Sequence, residues 1–361
     1  MTNWHGWRRP WKNQAMVAIC YRFCKVLGAV LVTLVVAGGA ESGAPRLSWP
    51  VDCTFGVDCW IRKYVDLDPS PGRRDYACGT ATTDKHSGTD IGLRSEAEIA
   101  DRVAVLAAAP GTVAGVRDEM VDRNILDRRD RELKGKDCGN GVRLDHGDGW
   151  STQYCHLKRG SIAVKNGQRV VRGQHLGTIG LSGSTEFPHV HMTLRHNGRV
   201  VDPFAGEGRR SASACGPGRS PLWTKATMAR LSYAVPALID LGVVGHVPDQ
   251  VEARRGWLDG DEVAPAAPVM IGWVRGFGLK PGDQVILTLK RPDGRTLAAK
   301  TITLKRPYLK FFRYIGAKRP GAAWAPGRYR LAAAVVRPAG ADGPGRRKSY
   351  RAEAMVAAAG R

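Results

Sequence analysis

The chain has 361 residues, with 55 Lys and Arg against 33 Asp and Glu, and a formal net charge of +22. That length accommodates about two domains and a targeting segment. So basic a chain favours an anionic partner such as nucleic acid, anionic lipid or an acidic envelope polymer, but its basic residues are dispersed and no zinc finger, helix-turn-helix or RNA-binding motif accompanies them, which sets nucleic acid aside.

Residues 1–24 are polar and basic, carrying Arg8, Arg9, Lys12 and Arg22, and the apolar run Val26–Val36 follows. Small residues at Ala37–Ala40 complete the pattern of a secretory signal peptide cleaved after Ala40. The run is shorter than the roughly twenty apolar residues of a spanning helix. If the segment stays uncleaved, it is the chain's one expected membrane contact. Met16 is an alternative start. Residues 41–80 read as a lead-in with turns around Asp68-Pro69-Ser70-Pro71-Gly72 rather than as a domain.

Six cysteines follow the signal: Cys53, Cys59, Cys78, Cys138, Cys155 and Cys215. An even number in an exported chain points to disulfides. Cys53 and Cys59 are near neighbours bracketing a glycine, and Cys138 and Cys155 face each other across a hairpin turning at Gly147-Asp148-Gly149. Cys78 and Cys215 then remain, tying the start of residues 81–215 to their end.

From His86 the chain becomes short apolar strands between glycine turns. Expected strands lie at Val103–Leu106, Thr112–Val116, Gly141–Leu144, Ser151–Leu157 and Leu176–Gly180. His189–Arg195 pairs with Arg199–Val201 through Asn197-Gly198, a favoured hairpin turn. The densely charged segment Asp118–Lys136 interrupts this series and is expected to be a solvated excursion rather than a groove wall.

Three histidine motifs stand out along these strands. Lys85-His86-Ser87-Gly88-Thr89-Asp90 places a carboxylate four residues after a histidine. Gln153-Tyr154-Cys155-His156-Leu157 puts a histidine in a strand, and Pro188-His189-Val190-His191 puts two on one strand face. Two neutral imidazoles plus a carboxylate form one of the ligand sets that hold a catalytic zinc.

In order and spacing, His-x-Gly-x-Asp, Tyr-x-His-Leu and Pro-His-x-His resemble the M23 zinc metallopeptidases, the lysostaphin-like or LytM-like cell-wall endopeptidases. Ala109-Pro110-Gly111-Thr112, Gly139-Asn140-Gly141-Val142, Gly177-Thr178-Ile179-Gly180 and Val201-Asp202-Pro203 fall in the family's order, so the resemblance covers roughly residues 80 to 205. It implies a metallopeptidase domain over 81–215 with zinc on His86, Asp90 and His191. His156 and His189 would share proton transfer and transition-state stabilisation. The implied substrate is a cross-link or stem peptide of peptidoglycan, in the periplasm or cell envelope. The alternative is a non-catalytic LytM-like protein that activates another wall hydrolase, although such proteins lose ligand positions that are all present here.

His146 is expected to be structural, and His175, His196 and His246 to lie on the surface. Residues 216–265 read as a linker with one or two short helices within Thr224–Leu241. Residues 266–361 carry a second strand series: Val269–Val274, Gln284–Leu289, Lys300–Leu304, Leu309–Ile315 and Gly327–Val336. The expected fold is therefore mainly β, an antiparallel LytM-like domain followed by a smaller immunoglobulin-like β-sandwich.

Overall fold

The computed structural model describes residues 43–128, 133, 135–207, 214–233, 236–340 and 345–358; the expected signal segment lies outside them. Ten strands occupy the first half. They are β1 (Trp60–Lys63), β2 (Thr89–Gly92), β3 (Ala104–Leu106), β4 (Gly111–Arg117), β5 (Asn140–Gly147), β6 (Trp150–Leu157), β7 (Arg169–Val170), β8 (His175–Thr178), β9 (His189–His196) and β10 (Arg199–Val201). The main sheet runs β1-β2-β9-β6-β5-β4-β7 with β10 also on β9, while β3 and β8 make a separate pair. All of these pairings are antiparallel.

Strand period decides which side chains meet. In β9, Val190, Met192 and Leu194 are buried in the core. His189 and His191, between them, face the other way. Asp90 of β2 pairs with His191, and Cys155 of β6 pairs with the same histidine. Directly opposed residues project to one side of a sheet, so register alone gathers Asp90, His191 and Cys155 on the face away from the core.

The lead-in is integral to this body. Leu47, Val51, Trp60, Ile61 and Tyr64 are buried in the same core as β9, and β1 forms the sheet edge against β2. Leu47 also exchanges backbone hydrogen bonds with the 222–224 segment, donating to the Leu222 carbonyl at 2.7 Å and accepting from Thr224 N at 2.8 Å. Among the described residues there are three disulfides, Cys53–Cys59, Cys138–Cys155 and Cys78–Cys215, and they match the expected pairing.

The charged segment is not the solvated excursion expected. Asp118 accepts from Gly160 N (2.8 Å) and Ile162 N (3.2 Å). Asp122 accepts from Leu181 N (2.7 Å) and Arg159 N (2.9 Å). Its acids thus cap backbone donors of two neighbouring loops, and Ile125 of a short 3-10 turn reaches the groove described below.

The second half holds β11 (Ala237–Val244), β12 (Val269–Phe277), β13 (Gln284–Lys290), β14 (Thr296–Thr303), β15 (Phe311–Lys318), β16 (Gly327–Arg337) and β17 (Arg346–Val356). They form a β11-β12-β15 sheet and a β14-β13-β16-β17 sheet. Leu238, Met270 and Val274 of the first share a core with Val285, Leu287 and Leu331 of the second, so the two sheets face each other.

Two short helices, α1 (Lys225–Arg230) and α2 (Gln250–Arg255), fall in the expected linker. The strand β11 between them corrects that expectation: Ala237–Leu241 is not helical. Leu238 faces the sandwich core while Ile239 faces the core of the first half, so the segment is apolar on both sides and its run carries no alternation to read. β17 was also unanticipated, because most of its side chains are exposed; Ala354 and Val356 are buried in the core and Tyr350 and Ala352 pack against it.

The Cys78–Cys215 bridge spans 137 residues, and closure of so long a loop constrains the unfolded chain by about 5 kcal/mol. Replacing both cysteines by alanine is expected to lower unfolding stability by about that amount in guanidinium titrations. Opening the six-residue Cys53–Cys59 separation is expected to cost less.

Candidate metal centre and active site

The site is built from its carboxylate outward. Asp90 is 1% exposed and lies among imidazoles. His191 Nδ1 is 2.7 Å from its Oδ1, His189 Nε2 is 3.4 Å from the same oxygen, and His86 Nε2 is 3.1 Å from Oδ2. Burial pushes the Asp90 carboxyl up, but His189 and His86, with hydrogen bonds from His189 and His191, hold it well below the usual carboxylate range. Lys63 of β1 adds a cation 3.7 Å away.

The imidazoles are aimed by the backbone. A carbonyl can only accept, so a ring nitrogen beside one carries a proton, and the hydrogen bond fixes which nitrogen faces the other way. His86 Nδ1 donates to the Tyr64 carbonyl (2.7 Å), His189 Nδ1 to Phe187 (2.9 Å) and His156 Nδ1 to Ser182 (2.8 Å). Three histidines on different segments therefore turn Nε2 towards the centre. His191 is turned the other way, with Nε2 3.0 Å from Thr193 Oγ1 and Nδ1 towards Asp90.

One atom from each of His86, Asp90 and His191 lies within 4.8 Å of the others, a donor set of two nitrogens and one oxygen that could hold a metal ion. Backbone hydrogen bonds on the far ring nitrogen are the orienting contacts of metal-binding histidines, and His86 has one. The residues fit a zinc site.

Beside this set stand His156 and His189, their ring centroids 4.7 Å apart. Burial, then the neighbouring His189 and His191, push the His156 imidazole well below its ordinary value, so it is neutral at pH 7. Its backbone sits at φ +64°, the left-handed region a non-glycine residue rarely adopts. That twist at the end of β6 turns His156 out of the strand's alternation, and its N–H donates to the Cys138 carbonyl (2.8 Å) next to the disulfide.

All five sequence-predicted site residues are thus brought together, lining a groove of about 990 Å³. Several supporting residues went unassigned in the sequence. Ser182 holds His156 through its carbonyl, while its hydroxyl donates to Leu157 O (2.7 Å) and accepts from Asn140 N (2.9 Å). Thr185 Oγ1 lies 3.1 Å from His189 Nδ1, and Phe187 stacks on the His189 ring at 4.3 Å. Gly88 is required by space: a Cβ there would lie 2.6 Å from His191 Nε2. Only Gly88 carried a sequence signal, its place in His-x-Gly-x-Asp.

The remaining histidines separate. His146 joins a polar chain, with Nδ1 2.6 Å from the Pro110 carbonyl and Nε2 2.8 Å from Thr152 Oγ1, which lies 3.2 Å from Tyr154 Oη. His175 and His246 are exposed. His196 departs from a plain surface role, because it is half-buried and stacked on Trp150 at 4.2 Å.

Residues 84–203 match the model of Peptidase family M23. Over 65 residues the chain is 44% identical to Peptidoglycan DD-endopeptidase ShyA of Vibrio cholerae, covering 18% of this chain and 15% of that protein. It is 42% identical over 64 residues to Cell division protein DipM of Caulobacter vibrioides, covering 18% and 10%. An uncharacterized metalloprotease of Haemophilus influenzae is 29% identical over 135 residues, covering 37% and 23%. The chain thus spans less than a quarter of the length of these curated relatives. Among solved structures, a zinc-containing peptidase from Vibrio cholerae aligns at 26% identity over 39% of this chain and 38% of that one, with a TM-score of 0.26.

Burial lowers the His146 imidazole below its ordinary value. The unfolded chain then binds the proton more tightly, so this contribution to stability is complete above about pH 6.5 and lost as pH falls below it. Thermal unfolding between neutral and mildly acid pH is expected to show a smaller acid loss in His146→Gln than in the wild type.

Proposed function

We propose, for a chain whose residues 84–203 form a peptidase family M23 domain, that it is an exported zinc metalloendopeptidase hydrolysing peptide bonds in peptidoglycan. One observation carries this reading: His86, Asp90 and His191 offer converging donor atoms at the base of a groove, with the Nε2 faces of His156 and His189 beside them. When bound there, zinc supplies Lewis acidity and a water acidified towards neutral pH.

The chain's own residues do the rest. Asp90 supplies the negative charge of the ligand set, and the Tyr64 carbonyl fixes the His86 tautomer so that Nε2 faces inward. His156, kept neutral by burial, is placed to accept a proton from the attacking water and deliver it to the leaving amine. His189, oriented by Phe187 and Thr185, would donate from Nε2 to the oxyanion of the tetrahedral intermediate when its ring carries both protons; the two histidines can also exchange these parts. The groove between β1 and the 184–187 loop leaves room for an extended peptide along the sheet face.

Export to the periplasm or cell envelope is supported by the three disulfides, which persist in oxidising compartments. Peptidoglycan as substrate is supported by the relatives named above and by the chain's basic charge.

The purified wild type is expected to bind one equivalent of zinc and release uncross-linked peptides from isolated wall, and His191→Ala to lose both. His189→Ala and His156→Ala are expected to keep the metal but lose about 10²–10⁴-fold in kcat/KM, the usual contribution of general acid–base catalysis. Wild-type protein that binds zinc but leaves wall and defined cross-linked dimers intact would overturn the peptidase reading in favour of a non-catalytic activator.

A further inference from the structure

Arg62 is placed where a buried guanidinium has no reason to be unless something binds it. It lines the groove, yet its Nε and Nη1 are buried with no hydrogen-bond partner. Buried donors are almost always satisfied, and an arginine at the wall of a groove with Nε–H and Nη1–H unmet keeps donor capacity for an acceptor. The rings of Phe187 and Phe277 lie 4.5 and 4.7 Å from the guanidinium carbon, gripping it through π contacts that supply no acceptor.

The backbone explains how Arg62 reaches this position. The register of β1 on β2 shifts between Ile61 and Lys63, so Arg62 is an extra residue with no partner opposite. Such bulges re-aim side chains. Lys63, after the bulge, pairs with Asp90 and projects into the groove.

A third cation arrives from the second half of the chain. Lys310, just before β15, lines the same groove and pairs with Glu186 of the 184–187 loop. Burial, and then the nearby Lys63 and Arg62, hold its ammonium below the usual value although Glu186 is beside it. Arg62, Lys63 and Lys310 therefore crowd together. Lys63 is balanced by Asp90 and Lys310 by Glu186, which leaves the Arg62 charge without an acid in contact.

We propose that Arg62, flanked by Lys63 and Lys310, is a carboxylate-binding subsite that selects stem peptides carrying a free carboxylate near the scissile bond. The inference rests on the peptidoglycan reading and names which chemical feature of that substrate is recognised. Arginine suits the task because its planar fork matches a carboxylate bidentately. Phe187 connects the subsite to the catalytic centre, contacting Arg62 with its ring while stacking on His189. A carboxylate bound at Arg62 would anchor the peptide one side chain away from the proton-transfer pair. It also gives the second half a part in recognition, since Leu309 and Lys310 complete the wall and Phe277 packs against Arg62.

The test measures binding, so it does not require turnover. Isothermal titration of the zinc-loaded full chain compares a synthetic stem tetrapeptide with free carboxylates against the same peptide amidated. The wild type is expected to bind the free form about tenfold or more tightly. Arg62→Gln is expected to remove the preference, and Lys310→Met, a change at a half-exposed side chain, to reduce it and weaken its salt dependence. Equal wild-type affinity for the two peptides, no binding of either, or a preference undiminished in Lys310→Met would each overturn the subsite. Selective binding without wall hydrolysis would keep the subsite and sink the peptidase reading, while hydrolysis without selectivity would do the reverse.

Discussion

A carboxylate taken out of water stays ionised only where donors or cations surround it, and Asp90 imposes that demand at the centre of the first half. Three imidazoles and Lys63 meet it from β1, β9 and the turn before β2. Much of the local architecture follows. The β2–β9 register must set Asp90 opposite His191, because a one-residue slip would drive the carboxylate into the layer of Ile91 and Val190. The turn carrying His86 must pass so close to β9 that residue 88 can have no side chain. β1 must shift register to bring Lys63 level with the acid.

The same demand explains why the imidazoles are held by main-chain carbonyls. A ring free to rotate could turn either nitrogen, or neither, towards Asp90. Carbonyls of Tyr64, Phe187 and Ser182 remove that freedom for His86, His189 and His156. Each carbonyl comes from a loop pinned elsewhere: Ser182 by Asn140 and Leu157, and the 185–187 turn by the Thr185 hydroxyl on the Phe187 carbonyl. The orientation of these rings is thereby set by backbone path, so substitutions at Ser182 or Asn140 would reach the histidines from outside the groove.

This division also marks what could be read in the sequence. The histidine motifs were legible because strand period and short spacing fix them: His189 and His191 must share a face, and Asp90 lies four residues beyond His86. The hairpins at 147–149 and 197–198 and the Cys53–Cys59 and Cys138–Cys155 pairs were legible for the same local reason, and Cys78–Cys215 followed by elimination. What was hidden depends on long-range approach. Nothing in Tyr-Cys-His-Leu announces that His156 leaves the strand with a positive φ, and Ser182 reads as an ordinary loop serine. Arg62 was invisible because its meaning lies in two phenylalanines more than a hundred positions away. β11 was concealed by being buried on both faces, and the acids of the 118–136 segment by a composition that reads as solvated surface.

The second half bears on the centre through the loop that follows β2. Arg275 of β12 donates to the Arg94 carbonyl and to Asp240 (3.0 Å), while Arg254 of α2 pairs with Glu96 and Asp127. These contacts grip residues 94–98, a few positions after Asp90 itself. The Arg275–Asp240 pair is not a large source of stability: burial raises the Asp240 carboxyl to about 6 even with Arg275 beside it, so desolvation outweighs the attraction. Affinity between the halves comes instead from apolar burial, Phe277 and Ile239 being members of the first half's core, each contributing about 1.5–3 kcal/mol. The polar contacts across the halves then set the angle at which that apolar contact is made, since a shifted docking would take Arg275 from the Arg94 carbonyl and Arg254 from Glu96 and Asp127. Angle is what the groove requires, because a small rotation would withdraw Lys310 from Glu186 and Phe277 from Arg62. Placement of the sandwich is in this sense part of the architecture of the site.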